Sequence, residues 1–427
     1  MAKRAVKRKV LVVTGTRAEF GLLLPVMRAI QKTRRLSLHV VATGSHLLPP
    51  ARTAREVKAA FPKTITVPMQ RAGKTGRLND AAATGRGIEG ITRVLARVKP
   101  DWVVVLGDRV EAFAAASAAS IAGIAVCHIH GGDRAEGIAD EAMRHAITKL
   151  SHLHCAATEQ SRGRIVKMGE RAEHVFNTGS PAIDGLRLMA PLNDRAAGPL
   201  ANVGTIVLLH PSGRGDDYER VMAGSIIHAI DESAPGDVLV LAPNHDPGCS
   251  VIDSIWRTRA MTPEARVGHA DGGPTGNGST FIVLRKDNPN SINRINGRKW
   301  IYRPHLPRAT FVGLLRRIAA VGDGLMIGNS SAGLIEASAL GLNVVNVGPR
   351  QDGRERAGSF VDVSEADTLE LMNAISRLRG LALDRSVLGG NTPAHPYGDG
   401  RAGPRIAALL AKLDPHDPTL LRKRNAY

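Results

Sequence analysis

Carboxylates and imidazoles crowd one stretch of the chain. Between residues 101 and 154 stand Asp108, then His128, His130, Gly131, Gly132 and Asp133, then Asp140, Glu141, Arg144 and His145. Histidine and a carboxylate of shifted pKa are the side chains that move protons near neutral pH, so this stretch predicts acid–base work. Trp102 to Leu106 is an unbroken apolar run, the pattern of a strand buried on both faces of a parallel sheet, which puts Asp108 at its carboxyl end. An Ala/Ser helix over about 109–122 leads to a second strand, Ile124 to Ile129, whose exit carries His130 and the glycine turn. Ligands of open α/β sheets bind beyond the carboxyl ends of the strands, and one strand–helix–strand unit delivers both sets there.

A helix starting near Ile138 predicts a buried stripe of Ile138, Ala142, Met143, Ala146, Ile147 and Leu150, with Asp140 and Glu141 on its other side and Arg144 and His145 four residues further along. Two readings stay open: acids matched to the helix dipole with i,i+4 partners, or a carboxylate pair aimed at the crevice. His128 and His130 share a strand face, as do His152 and His154, with Cys127 and Cys155 beside them. Zinc uses such side chains, but the spacing fits no standard site, and no metal is expected.

The second concentration is IGNSSAGLIEASALG, residues 327–341. A strand ends at Gly328, Ser330 and Ser331 supply hydroxyls, Gly333 lets the backbone approach a ligand, and a helix begins whose free N–H groups favour an anion. The pattern predicts a diphosphate cradle, with Glu336 placed to accept from ribose hydroxyls and Arg350 to pair with phosphate. The plainer alternative is a serine that caps the helix. Arg17, in the turn after the first strand, is a ligand arginine or a surface one. His210 ends the strand TIVLLH, where it serves catalysis or a structural hydrogen bond.

The elements that must hold these residues show in the hydrophobic pattern. Strands at Val10–Val13, Ser37–Ala42, Ile65–Val67, Ser151–Thr158 and His174–Asn177 alternate with helices. One helix, over 78–98, carries Leu78, Ala82, Ile88, Ile91, Leu95 and Val98 at helical spacing, and Pro25 is expected to punctuate the first. Residues 191–204, rich in Pro, Gly, Asn and Asp, read as an interdomain linker. The pattern restarts with TIVLLH (205–210), VLVLAP (238–243), FIVL (281–284), GLMIG (324–328) and NVVNVG (343–348). The fold class is α/β: two Rossmann-like, doubly wound domains, 1–190 and 205–395, facing a cleft. A mobile insertion near 258–300 and, over 396–427, a closing helix with a basic tail complete the expectation.

The formal net charge of +18 first suggests an acidic partner, but Lys3, Arg4, Lys7, Arg8, Lys9, Arg422, Lys423 and Arg424 supply eight of the charges from the two ends, read as solvated tails. No basic stripe with interleaved aromatics appears, so nucleic acid is not an expected partner. Three cysteines without CxxC spacing fit a reducing cytoplasm rather than a disulfide framework. The apolar, Ala-rich run 112–127 is too short to span a bilayer, so a soluble, cytoplasmic protein without membrane contact is expected.

Several long motifs, in order, resemble one known family. TGTRAEFG (14–21), GDRVEAFAAA (107–116), HIHGGD (128–133), DEAMRHAITKLSHLH (140–154), NTGSPAIDGL (177–186), LHP (209–211), HLPRATFVGLL (305–315) and IGNSSAGLIEA with NVGPRQDGRER (327–356) are similar to the hydrolysing UDP-N-acetylglucosamine 2-epimerases of nonulosonate biosynthesis. The resemblance implies a glycosyltransferase-B-like pair of domains, the nucleotide held mainly by the second, and a homodimer or homotetramer. It puts Arg17, Ser330, Ser331, Glu336 and Arg350 on UDP, with Arg144 and Gly333 in the substrate-binding set, and Asp108, Asp140, Glu141 and His210 at catalytic or sugar positions. Many relatives carry glutamate where this chain has His130, and glutamate where it has Asp133. Whether His130 takes over a proton-transfer role stays open.

The chemistry follows independently. No carbonyl acidifies the hydrogen at C2 of a pyranose, so its loss must accompany cleavage of the C1–oxygen bond to UDP, giving a glycal. Carboxylates stabilise positive charge at C1, Arg17 and a helix N-terminus the departing diphosphate, and water then adds to release the epimerised sugar. No cofactor is called for, in keeping with the lack of a GxGxxG dinucleotide fingerprint. The same fold also serves 2-epimerases of UDP-linked 2,4-diacetamido-trideoxyhexoses or of GDP-sugars, and glycosyltransferases.

Overall fold

The computed structural model describes residues 7–49, 52–74, 76–134, 140–244, 248–260, 267–268, 281–282, 292–364, 367–384 and 395–426. The chain forms two compact units, one of Met1–Leu186, Asp352–Arg356 and Thr392–Tyr427, the other of Arg187–Gln351 and Ala357–Asn391. Unit 1 runs β1 (Arg8–Thr14), α1 (Arg17–Lys32), β2 (Leu36–Thr43), α2 (Ala54–Ala60), β3 (Ile65–Val67), α3 (Arg77–Val98), β4 (Trp102–Leu106), α4 (Val110–Ile121), β5 (Ala125–Ile129), α5 (Asp140–Leu150), β6 (Leu153–Ala156), α6 (Glu159–Lys167) and β7 (Val175–Asn177). Unit 2 runs α7 (Asp194–Ala197), β8 (Val203–Leu208), α8 (Asp216–Ser233), β9 (Asp237–Leu241), α9 (Cys249–Ala260), β10 (Val267–Gly268), β11 (Phe281–Ile282), β12 (Ile292–Ile295), β13 (Arg298–Arg303), α10 (Arg308–Val321), β14 (Leu325–Gly328), β15 (Asn343–Val347), β16 (Phe360–Val363) and α11 (Thr368–Asp384). The chain then returns to unit 1 with α12 (Ala402–Lys412) and α13 (Pro418–Leu421).

The sheet of unit 1 is wholly parallel, in the order β3-β2-β1-β4-β5-β6-β7. Its strands read as continuous apolar runs because helices cover both faces. On one face Val10, Val12, Trp102 and Val104 pack with Leu23, Met27 and Ile30 of α1 and with Ile406 and Leu410 of α12. On the other, Leu11, Val13, Val103 and Val105 meet Ile91, Leu95 and the alanines of α4. The winding reverses between β1 and β4, so the turns after these strands, bearing Arg17 and Asp108, flank a topological switch point. The sheet of unit 2, β12-β13-β9-β8-β14-β15-β16, is parallel except for the β12–β13 hairpin. Its reversal lies between β8 and β14, whose exits carry His210 and Ser330. Both units are thus doubly wound, as the hydrophobic pattern requires.

Several expectations give way. Helix α1 passes through Pro25 to Lys32. The residue four back is Gly21, which sets no side chain beside the ring, and α12 packs so closely that a Cβ on Gly403 would lie 2.9 Å from the Pro25 carbonyl. Leu78 is 87% exposed; the buried stripe of α3 starts at Ala83 and includes Gly87 and Gly90, where added Cβ atoms would meet Met69 and Val67. Of FIVL, Phe281–Ile282 pairs with Val267–Gly268, and the place beside β9 goes to β13, whose Trp300, Ile301 and Tyr302 are fully buried. Residues 292–300, placed in the insertion, therefore belong to the sheet. The segment 191–204 holds α7 and the start of β8, and its Leu200 and Val203 are buried in the unit 2 core. Nor are the terminal charges all solvated. Arg8 donates to the carbonyls of Leu410, Ala411 and Leu413, Lys9 to that of Val98 (2.9 Å), and Lys423 pairs with Glu170 at 2.7 Å.

Candidate active site

In unit 1 the exits of β4 and β5 meet through one arginine. Arg144 is buried in α5, where Ala142 had been expected in the stripe and is exposed instead. A buried guanidinium needs a partner, and Arg144 pairs with Asp108 and donates to the backbone carbonyl of Asp133 at 2.7 Å. Asp108, half-buried at the switch point, thereby faces a buried positive charge. Of the helical acids, Glu141 pairs with its i,i+4 neighbour His145 at 3.4 Å and lies 3.9 Å from Arg134. Asp140 opens α5, but its side chain, like residue 138, lies outside the described residues.

His130 anchors a second network. Its Nδ1 is 2.8 Å from Asp133 and its Nε2 2.9 Å from the hydroxyl of Ser180, while Ser161 donates to the other oxygen of Asp133 at 2.8 Å. Burial pushes the Asp133 carboxyl up, but His130, Arg354 and Ser161 outweigh it and hold the group below the ordinary carboxylate value. The backbone of His130 sits at φ +64°, in the left-handed region that a side chain rarely adopts. Arg17 reaches back to Glu56 of α2 at 3.1 Å, and its NH1, buried, has no hydrogen-bond partner among the described residues. The remaining histidines of the metal question are occupied. His128 bonds to the Gly107 carbonyl and to Thr148, His154 to Glu170, and His152 accepts from the Val126 amide. Among the described residues no group of three or more metal-ligating side chains comes together.

In unit 2 the exits of β8 and β14 are clasped. Asn329 accepts from the His210 amide at 2.7 Å and donates to the His210 carbonyl at 2.8 Å, while Gln351 holds the Asn329 carbonyl at 2.7 Å. The approach demands Gly328: at φ +138° an added Cβ would lie 2.1 Å from the Leu208 carbonyl oxygen. His210 Nδ1 accepts the Asn244 amide at 3.0 Å, so the neutral ring carries its proton on Nε2. Burial and the nearby Arg350 push its pKa down to about 3. Ser330 is buried and caps the following turn through the Ala332 amide (3.3 Å), so the plain capping role is present, with Ser331 half-buried beside it. Gly333 opens the helical segment Gly333–Ala337 that follows β14 and lets it pack on β15, since a Cβ there would press on Val344 at 3.1 Å. Glu336, buried, is paired with Arg308 at 3.2 Å. Asn329, Gln351, Arg308, Ser161 and Ser180 thus belong to the two sites, though the sequence reading had not singled them out.

Comparison with known proteins gives these sites a family. The profile described as UDP-N-acetylglucosamine 2-epimerase matches residues 28–411. The chain is 32% identical to the UDP-N,N'-diacetylbacillosamine 2-epimerase (hydrolyzing) of Legionella pneumophila, over 98% of this chain and 100% of that protein. It is 29% identical to a UDP-N-acetylglucosamine 2-epimerase of Neisseria meningitidis serogroup B, over 90% of this chain and 92% of that one. A crystal structure of UDP-GlcNAc 2-epimerase from Neisseria meningitidis bound to UDP-GlcNAc shares the fold, with a TM-score of 0.69 at 20% identity over 95% of this chain and 100% of that one.

Proposed function

The chain belongs to the UDP-N-acetylglucosamine 2-epimerase family, and from that premise we propose that it is a hydrolysing 2-epimerase, converting UDP-N-acetylglucosamine and water to N-acetylmannosamine and UDP for nonulosonate synthesis. The observation that carries the reading is Asp108, paired with buried Arg144 where the winding of unit 1 reverses. A fixed negative charge suits a reaction in which positive charge grows at C1. In the first step the C2 proton passes to a base of the unit 1 cluster, the C2–H electrons form the C1–C2 double bond, and the C1–oxygen electrons leave with UDP. Asp140 and Glu141 share the sugar-side role with Asp108. Ser330, Ser331, Arg350 and Arg17 hold the diphosphate, Glu336 the ribose, and the Nε2–H of His210 donates to the oxygen that gains charge. Water then adds across the double bond, hydroxyl to C1 and hydrogen to C2 on the opposite face.

A second substrate has specific support: the Legionella relative, similar over the full length, is named for UDP-N,N'-diacetylbacillosamine. The reading includes a cytoplasmic homodimer or homotetramer. Among the described residues no helix is long and apolar enough to cross a membrane. The test runs both UDP-sugars in heavy water under NMR. Free, 2-epimerised sugar with deuterium at C2 is expected from one of them. Acceptor-dependent transfer without label, or no release of UDP from either, overturns the reading.

A further inference from the structure

We propose, resting on the function above, that Asp133 and Ser180 are positioning residues that fix the tautomer and plane of the His130 ring, making His130 the base for the C2 proton. Asp133 is an ionised, acceptor-only group, so the His130 nitrogen 2.8 Å from it carries the ring proton. The far nitrogen then holds a lone pair, and the Ser180 hydroxyl at 2.9 Å donates to it. That hydroxyl oxygen is itself fixed, because it accepts the Ala182 amide at 3.2 Å. Asp133 is fixed on its other side by Ser161, whose amide and hydroxyl are both within 3.1 Å of Thr158 Oγ1. Arg144 ties the backbone of Asp133 to Asp108. A histidine that only filled the core would need neither an ionised carboxylate 4% exposed nor a left-handed backbone. In the elimination the Ser180 hydroxyl turns away from Nε2 and frees its lone pair, Nε2 takes the proton leaving C2, Asp133 balances the imidazolium, and the proton is lost to water before the next turnover.

The test uses the full chain with whichever UDP-sugar it turns over. Asp133→Asn is expected to lower kcat by about 10²–10⁴-fold, as when a base is left in the wrong tautomer, with KM within about threefold. Asp133→Glu, which restores a carboxylate, is expected to recover all but about tenfold of that loss. Nitrogen-15 NMR of the histidine rings reports the tautomer directly: proton on Nδ1 of His130 in the wild type, on Nε2 in Asp133→Asn. Should Asp133→Asn fail to fold, Ser180→Ala decides, with kcat expected to fall about tenfold at unchanged KM. A wild-type ring protonated on Nε2, or variants that turn over within threefold of wild type, overturns the proposal. Those failures appear in an active wild type, whereas a wild type that releases no UDP overturns the functional reading first and the proposal with it.

Discussion

At the scale of single residues the two sites contrast in what their imidazoles offer. His210 gives its Nδ1 lone pair to the Asn244 amide, so its remaining function is donation from Nε2. His210→Asn keeps an acceptor for that amide and, its side chain being shorter, places no donor where Nε2 stood; kcat for UDP release is expected to fall about 10²–10³-fold, the usual cost of losing one preorganised donor, while the thermal midpoint stays close to wild type. An unchanged kcat would remove His210 from the reaction. Glu19 supplies a prediction in pH. Burial, with the Glu111 charge adding to it, raises its carboxyl from 4.5 to about 8 against the opposing amides of Gly15 and Thr16 and Arg109. Its folded pKa lies above its unfolded one, so its contribution to stability is complete below about pH 4.5 and is lost as pH rises through about 8. The thermal midpoint of the wild type is expected to fall between pH 5 and 8.5, and that of Glu19→Gln to fall less. Parallel curves would show that Glu19 is ionised when folded. Single residues were also where the sequence said least. Asp108, His130 and His210 stood out because each ends a strand, but Ser180 reaches His130 across 50 residues and Asn329 reaches His210 across 119. No local spacing encodes such partners.

At the scale of elements, strands were the most legible feature, because a strand covered on both faces must be apolar throughout, as Val103–Val105 are. What misled was context. Phe281–Ile282 and Trp300–Tyr302 have equal claim as apolar runs, and only the partner strand β9 selects the second. Pro25 lies within a helix because another helix, far along the chain, covers it. The basic end likewise reads as solvated until its target is known. Lys423 donates to the carbonyls of Thr148, Lys149 and Ser151 at the C-terminal end of α5 and pairs with Glu170, which also binds His154. A cation there offsets the helix dipole and the unpaired carbonyls. Lys423→Met is expected to cost about 1 kcal/mol, lowering the midpoint by about 2–4 °C, and to speed amide exchange in the last turn of α5. If exchange there is unaltered, the tail does not hold the helix.

At the scale of the whole molecule, the two kinds of chemistry proposed above fall to different units. The acid–imidazole residues Asp108, His130, Asp133 and Glu141 belong to unit 1, and the anion turn with Ser330, Ser331 and Arg350 to unit 2. If unit 2 carries most of the nucleotide affinity and unit 1 the bond breaking, variants must separate the two functions. Asp108→Asn is expected to lower turnover by about 10³-fold or more while the UDP dissociation constant, measured by calorimetry, stays within about threefold. Because it also strips a buried arginine of its counter-charge, a loss of stability on the order of 3 kcal/mol should accompany it, and intact UDP binding is what distinguishes a folded, inactive protein from an unfolded one. Ser330→Ala with Ser331→Ala should do the reverse, weakening UDP by about tenfold or more through lost hydrogen bonds to charged oxygens. Turnover at saturating substrate should change far less in that double variant. A chain in which both changes moved affinity and turnover together would not divide its labour between the units.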